Sequence, residues 1–197
     1  RECHLKKRKL TEGIQAIHSL RGASSHIHNP YMILKRPEST EQTGEVYGFS
    51  LVYSGNFLGQ VEVDSYGVSR VMMGINPYEF KWKLDSKEEF QTPECVVVYS
   101  DKGLNSMSQT YHKLYRTRLA RGMWRDKERP ILVNNWEATY FDFDEEKILS
   151  IVTAAKKLGI ELFVLDDGWF GKRNDDTSSL GDWFENKEKL PNGIAGL

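Results

Sequence analysis

No apolar stretch in the 197 residues approaches the ~20 that a membrane span requires, and the N-terminus carries no apolar signal core, so no membrane partner is expected. Charge of one sign is missing as well. Lys and Arg number 27 against 28 Asp and Glu, a net charge of -1, which removes the electrostatic basis for binding nucleic acid. The basic run Lys6-Lys7-Arg8-Lys9 is short and near the terminus, and reads as a solvated face. Cysteine is scarce: Cys3 and Cys95 have no metal-ligand spacing and define no disulfide, so a reducing, cytoplasmic setting is the default expectation. His26 and His28 form an H-x-H pair with no nearby Cys or further His to complete a ligand set, and neither a metal nor a cofactor is expected. Internal repeats and low-complexity segments are also lacking. The chain opens on Arg1 rather than Met and closes on the loop-like run Asn192 to Leu197, so it is expected to be an interior piece of a longer protein.

What is present is concentrated between residues 131 and 170. The apolar run Ile131-Leu132-Val133, launched by Pro130, reads as a short strand that leaves through Asn134, Asn135 and Trp136. A helix follows: Asp142 and Glu145 have capping-box-like spacing, Asp144, Glu145 and Glu146 put negative charge near its start, and Ile148, Ile151, Val152, Ala155 and Leu158 recur at helical spacing. Gly159 supplies the stop. A second strand, Ile160 to Leu165, contains the unbroken apolar run Leu162 to Leu165 expected of a parallel strand covered on both faces. It ends in Asp166-Asp167-Gly168-Trp169, and the whole pattern is a βαβ unit.

Carboxylates at the C-terminal end of a parallel strand stand where barrel and open-sheet α/β enzymes hold their ligands. Adjacent side chains on an ideal strand point to opposite faces, but Gly168 lets the chain turn, so Asp166 and Asp167 can meet one polar ligand from different angles. The same two acids also suit a cap on a solvated loop, or a divalent cation held by a carboxylate pair. Trp136 leaves the first strand at the same end of the sheet, with Tyr140, Phe141 and Phe143 close behind it. Aromatics beside carboxylates suit a sugar, whose C–H face lies on a ring while its hydroxyls donate to ionised acids. Phe141, Phe143 and Phe163 read as core packing. In the loop beyond, Asp182 and Trp183 either order the loop or reach the same ligand, while Asp175 and Asp176 read as solvent-exposed acids.

Upstream, from about Tyr31 to Ser100, the pattern is β, with strands expected over Val46–Tyr53, Phe57–Val63, Val68–Met73, Phe80–Leu84 and Cys95–Tyr99. The short turns Ser54-Gly55-Asn56 and Ser65-Tyr66-Gly67 make the first three an antiparallel meander, half of a sandwich or a large barrel. After Gly103 the period becomes helical, with Met107, Tyr111, Leu114, Tyr115 and Arg118 on one face and Asn105 or Ser106 as caps. The basic segment Arg116 to Arg129 reads as a surface connection.

The runs NNWEATYFDF (Asn134 to Phe143), LDDGWFGKRNDD (Leu165 to Asp176) and LGDW (Leu180 to Trp183) resemble the α-galactosidases of glycoside hydrolase family 36. RGASSHIHNP (Arg21 to Pro30), YGFSLVYSGNF (Tyr47 to Phe57) and RVMMGINPYEFKW (Arg70 to Trp82) resemble the same enzymes, so the likeness covers nearly the whole chain. It implies a multi-domain β plus α/β protein: an N-terminal β-supersandwich, then a catalytic (β/α)8 TIM barrel. Residues 1–102 would be the C-terminal part of the supersandwich, 103–128 a linker helix and connection, and 129–197 the truncated start of the barrel. Such enzymes are retaining glycosidases with two carboxyl groups about 5 to 5.5 Å apart, a nucleophile and an acid/base. In the family these stand on later barrel strands, the nucleophile in a Lys-x-Asp-x-Asn-like motif that this sequence lacks, so no catalytic residue is assigned and both are expected beyond Leu197. By similarity, Asp166 and Asp167 accept hydrogen bonds from galactose hydroxyls, and Trp136 lines that subsite. Asp182 and Trp183 are further possible contacts, and Arg21 and His26 have structural or intersubunit roles.

The resemblance implies α-galactoside oligosaccharides such as melibiose and raffinose as substrates, and a homotetramer as the assembled enzyme. Three alternatives stand beside it: a relative that transfers galactose to sucrose-type acceptors (raffinose or stachyose synthase-like), a non-catalytic carbohydrate-binding β-sandwich, and the divalent-metal reading of Asp166-Asp167.

Overall fold

The computed structural model describes residues 6–197, and Cys3 lies outside the described residues. The chain forms two compact units, Arg1–Ala120 and Arg121–Leu197. No helix among the described residues is long and apolar enough to cross a membrane.

In the first unit, six strands among the described residues form two antiparallel sheets: β1 (Gly13–His18), β4 (Phe57–Val63) and β5 (Ser69–Ile75) in one, and β2 (Tyr31–Lys35), β3 (Val46–Val52) and β6 (Glu94–Ser100) in the other. The side-chain alternation of β3 decides what each face meets. Val46, Gly48 and Ser50 are buried against helix α1 (Gly103–Leu114), which lays Met107 and Tyr111 across Gly48. Gly48 is needed there because a Cβ would stand 2.6 Å from the Tyr111 ring. Val46, Met107 and Tyr111 form the buried cluster, flanked by Tyr31, Ile33, Val96 and Val98 from β2 and β6. The opposite face carries Leu51 and Met32, whose methyl group lies 2.6 Å from an ideal Cβ on Gly59 of β4, so the two sheets meet face to face.

Four expectations for this unit are corrected. The meander does not form: β3 and β4 belong to different sheets, and only β4 and β5 are a hairpin. The backbone around Ser54-Gly55-Asn56 is committed elsewhere, since the Ser54 carbonyl accepts from Ser24 N (2.7 Å) and the Asn56 carbonyl from Asn76 N (3.0 Å). That segment therefore carries the chain from sheet to sheet. No strand forms over Phe80–Leu84; these residues lie in a loop where Phe80 and Trp82 pack on Phe90 at centroid distances of 5.9 and 4.9 Å. Their alternation has no partner strand to read it. Neither Asn105 nor Ser106 caps α1. Its first N–H groups donate to backbone instead, Gly103 to the Gly44 carbonyl (3.0 Å), Leu104 to Thr40 (3.1 Å) and Asn105 to Glu41 (2.9 Å), which leaves a side-chain cap nothing to do. The expected face also runs past the α-helix, which gives way to a π-turn over Tyr115–Leu119.

In the second unit, β7 (Leu132–Asn134) and β8 (Leu162–Val164) pair in parallel, Val133 opposite Phe163, with α2 (Trp136–Thr139) and α3 (Glu145–Lys157) between them. Both strands are shorter than their apolar runs, and Ile131, Leu132 and Leu162 are exposed. A two-stranded sheet leaves such residues uncovered. The N-cap of α3 is Asp144, which accepts from Lys147 N, rather than Asp142. Asp142 pairs with the Lys147 ammonium at 3.3 Å. Gly159 ends the helix as its φ of 81° allows.

Gly103 combines a φ of 76° with backbone atoms of Thr40, Glu41 and Thr43 at 2.6–2.7 Å from any added Cβ. Gly103→Ala should destabilise the first unit by at least the strain of a left-handed non-glycine residue, about 1 to 3 kcal/mol, read as a lower denaturation midpoint. An unchanged midpoint would mean that the 40–44 segment gives way without cost.

Candidate functional site

At the C-terminal end of the β7–β8 pair, two asparagines hold the exits of both strands. Asn135 is fully buried; its Nδ2 donates to Thr139 Oγ1 (2.8 Å) and its Oδ1 accepts from Asp166 N (2.8 Å), joining α2 to the end of β8. Asn134 works on both sides of the site: its Oδ1 accepts from Trp136 N (2.7 Å) and its Nδ2 donates to Asp166 Oδ2 (2.5 Å). Asp166 Oδ1 then accepts from Asp167 N (2.7 Å).

Asp167 turns the other way, as strand alternation and a following glycine with φ of 91° permit. Its Oδ1 accepts from Gly168 N (2.7 Å) and from Arg173 Nε (2.6 Å), while no donor among the described residues reaches Oδ2. The guanidinium is only 6% exposed and the carboxylate 25%, so this ion pair is far less screened than a surface one. Arg173 Nη1 also donates to the Ser178 carbonyl (2.6 Å). The Arg173 hydrogen bond, helped by Gly168 N–H, holds the Asp167 carboxyl below the usual carboxylate range against the opposing effect of burial.

Trp136, half-buried, meets the edges of Tyr140 and Phe141 at centroid distances of 5.2 and 5.0 Å. Phe141 in turn lies 5.6 Å from the Arg173 guanidinium. A continuous line of contacts thus runs from Trp136 through Phe141 and Arg173 to Asp167. The structure brings Asp166, Asp167 and Trp136 into one network. Asp182 is exposed and is tied in through its backbone, its N–H donating to the Ser179 carbonyl (3.1 Å) and its own carbonyl accepting from Phe184 N (2.7 Å). Trp183, 63% exposed, packs its ring against Phe170 at 4.6 Å. Asp175 and Asp176 are exposed, Asp175 closing a turn with Thr177. Phe143 is buried, and Phe141 and Phe163 are half-buried. Among the described residues no three His, Cys, Asp or Glu side chains gather as a metal cluster would need.

Asn134, Asn135 and Arg173 are the residues that sequence reasoning did not assign. The asparagines read only as a strand exit. Arg173 carried a signal: a forked donor six residues beyond an acid pair, across a glycine turn, is well placed to close back on it.

A parallel βαβ unit with acceptor carboxylates and an indole at its strand ends, following an antiparallel β unit in the chain, defines the class as an α/β enzyme domain with an N-terminal β module. Known proteins sharpen that class. Residues 1–85 match the glycosyl hydrolase family 36 N-terminal domain and residues 89–197 match Melibiase. The chain belongs to the α-galactosidase family, glycoside hydrolase family 36. Over all of its length it is 65% identical to alpha-galactosidase AgaA of Geobacillus stearothermophilus, and over 98% of it 55% identical to alpha-galactosidase Mel36A of Lactobacillus acidophilus. It spans only 27% and 26% of these two curated relatives. The crystal structure of AgaA superposes with a TM-score of 0.90 at 66% identity, covering 96% of this chain and 26% of AgaA. AgaA variants crystallised with raffinose and with stachyose give TM-scores of 0.90 and 0.89 at 65% identity and the same coverage. The β sheets of the first unit accordingly belong to the N-terminal region of this family, and the βαβ unit to the start of its catalytic domain.

The ion pair at Asp167 sets a pH dependence. A carboxyl held below its ordinary value stabilises the fold above the unfolded pKa of about 3.9, and that stability is lost as pH falls through the lowered folded value. In Arg173→Met, burial acts on Asp167 without its counter-charge, so its carbon-detected NMR titration should move up. The stability that Asp167 contributes above the unfolded pKa should then be lost, so that acidification no longer removes it. An unmoved titration would show that Arg173 does not govern this carboxylate.

Proposed function

We propose that this chain is part of a retaining α-galactosidase and supplies galactose-binding groups rather than the nucleophile or the acid/base. The observation that carries the reading is the pair of acids at the end of β8, each fixed by a neighbouring donor, beside the oriented indole of Trp136. Asp167 offers Oδ2 to a hydroxyl donor, and Asp166, held by Asn134, stands at the same strand end as a second acceptor. A general acid in glycoside cleavage needs a raised pKa, whereas Arg173 holds Asp167 down, so Asp167 is suited to accept hydrogen bonds and not to protonate a leaving group. Discrimination follows from the same geometry: an equatorial hydroxyl in place of an axial one leaves a sequestered carboxylate oxygen unpaired.

On this reading residues 1–102 belong to the supersandwich, 103–128 to the connection and 129–197 to the barrel. Asp182 and Trp183 act chiefly by ordering the loop. The raffinose and stachyose complexes of AgaA support terminal α-linked galactose on an oligosaccharide as the substrate, melibiose included. The assembled enzyme is a homotetramer of the cytoplasm, with Arg21 and His26 in structural or intersubunit roles.

In the complete enzyme, Asp167→Asn should lower kcat/KM for an aryl α-galactoside by roughly 5- to 150-fold, the equivalent of about 1 to 3 kcal/mol, and should also lower the melting temperature while leaving unfolding cooperative, because Arg173 loses its counter-charge. Parental kcat/KM in this variant would remove the carboxylate role. The 197-residue chain alone should not turn over that substrate, while the complete enzyme cleaves the α- but not the β-galactoside. Turnover by the chain alone would place the chemistry within these residues.

A further inference from the structure

Lys189 is tied to the site from a distance in sequence. Its backbone is fixed first: its N–H donates to Asn186 Oδ1 (3.2 Å) and its carbonyl accepts from Glu145 N at the start of α3 (2.9 Å). Its ammonium donates to the carbonyls of Phe141 (2.8 Å), Gly168 (3.1 Å) and Arg173 (3.3 Å), one proton for each. The charge rests 4.8 Å from the Phe143 ring centroid, and burial pushes the Lys189 pKa down against the pull of Asp142 and Asp167.

The three acceptors belong to two stretches of chain, Phe141 ahead of α3 and Gly168 with Arg173 in the turn after β8, and each stretch carries or orients a group proposed to hold galactose. Phe141 packs its ring on Trp136, Gly168 follows Asp167 and donates to it, and Arg173 holds Asp167 through its guanidinium. Closure of the loop by itself does not require this ammonium. Backbone bonds already close it, Gly171 N to the Phe184 carbonyl and Asn186 N to the Trp169 carbonyl, each 2.8 Å. What Lys189 adds is a common point for the aromatic side and the acidic side of the site.

We infer that Lys189 is a positioning residue that sets the placement of Trp136 relative to the Asp167 carboxylate, and thereby the preference for galactose over its C4 epimer glucose. The inference rests on the galactose-binding reading of Trp136 and Asp167. Lys189 touches no reacting atom; it acts through the three carbonyls.

The test uses the complete enzyme with Lys189→Met, which removes the charge at similar length, and Lys189→Gln, which keeps a donor but reaches fewer carbonyls. Inhibition constants for galactose and glucose and the KM and kcat for an aryl α-galactoside are measured together. Lys189→Met should raise the galactose Ki and the KM at least tenfold and shrink the glucose-to-galactose Ki ratio at least fivefold, with Lys189→Gln intermediate. A merely structural role would lower the amount of active enzyme while leaving Ki, KM and the epimer ratio of that enzyme at parental values, and this result overturns the inference. If Lys189→Met does not fold, Lys189→Gln decides by the same criteria, with a threefold rise in galactose Ki expected. Trp136→Ala and Asp167→Asn separate the two readings. If these raise the galactose Ki and the Lys189 variants do not, the positioning role alone fails; if none of them does, the binding reading fails with it.

Discussion

A carboxylate withdrawn from water must be given donors, and the second unit is arranged around meeting that demand twice at the end of β8. Asp166 receives the Asn134 amide and the Asp167 N–H; Asp167 receives the Arg173 guanidinium and the Gly168 N–H. Each donor fixes a different piece of chain. Asn134 ends β7 and holds the N–H of Trp136, so the indole and the first acid are set by one side chain. Arg173 sits in the loop after β8 and lies near the rings of Phe141 and Phe170, so the second acid is set from the opposite side. Satisfying the acids is therefore also what gives the loop its shape.

That division of labour explains what could be read in the sequence. The parallel pair, the helix between its strands, the stop at Gly159 and the polar exits were all visible, because each depends on a short pattern: an apolar run, a 3.6-residue period, a glycine at positive φ. The acids and Trp136 were visible at the strand ends for the same reason. The donors were not. Asn134 and Asn135 look like any turn residues until β7 and β8 are laid side by side, when the pairing of Asn134 with Val164 brings them beside Asp166. Lys189 meets Phe141 from 48 residues away, and no local pattern marks such a contact.

In the first unit the failures have the opposite cause: local patterns were present but had lost the competition. Phe80 and Trp82 alternate as a strand would, yet without a neighbouring edge they fold onto Phe90. Asn105 and Ser106 are good capping residues, yet the carbonyls of Thr40, Glu41 and Gly44 already occupy the helix start. Turn sequence at Ser54–Asn56 suggested a hairpin, yet distant backbone groups claim its carbonyls and send the chain to the other sheet. In each case a tertiary contact outweighed a preference worth about 1 kcal/mol or less.

The bonds around the acids span short stretches of chain: six residues from Arg173 to Asp167, 32 from Asn134 to Asp166. Closing loops of this size carries little entropic penalty, and contacts of low sequence separation form early when a protein folds. The polar corner can thus assemble as soon as the second unit has left the ribosome, without waiting for distant partners. A hydrophobic sheet edge exposed at Ile131, Leu132 and Leu162 would meanwhile remain open, and it is there rather than at the acids that a nascent chain would be most prone to wrong association.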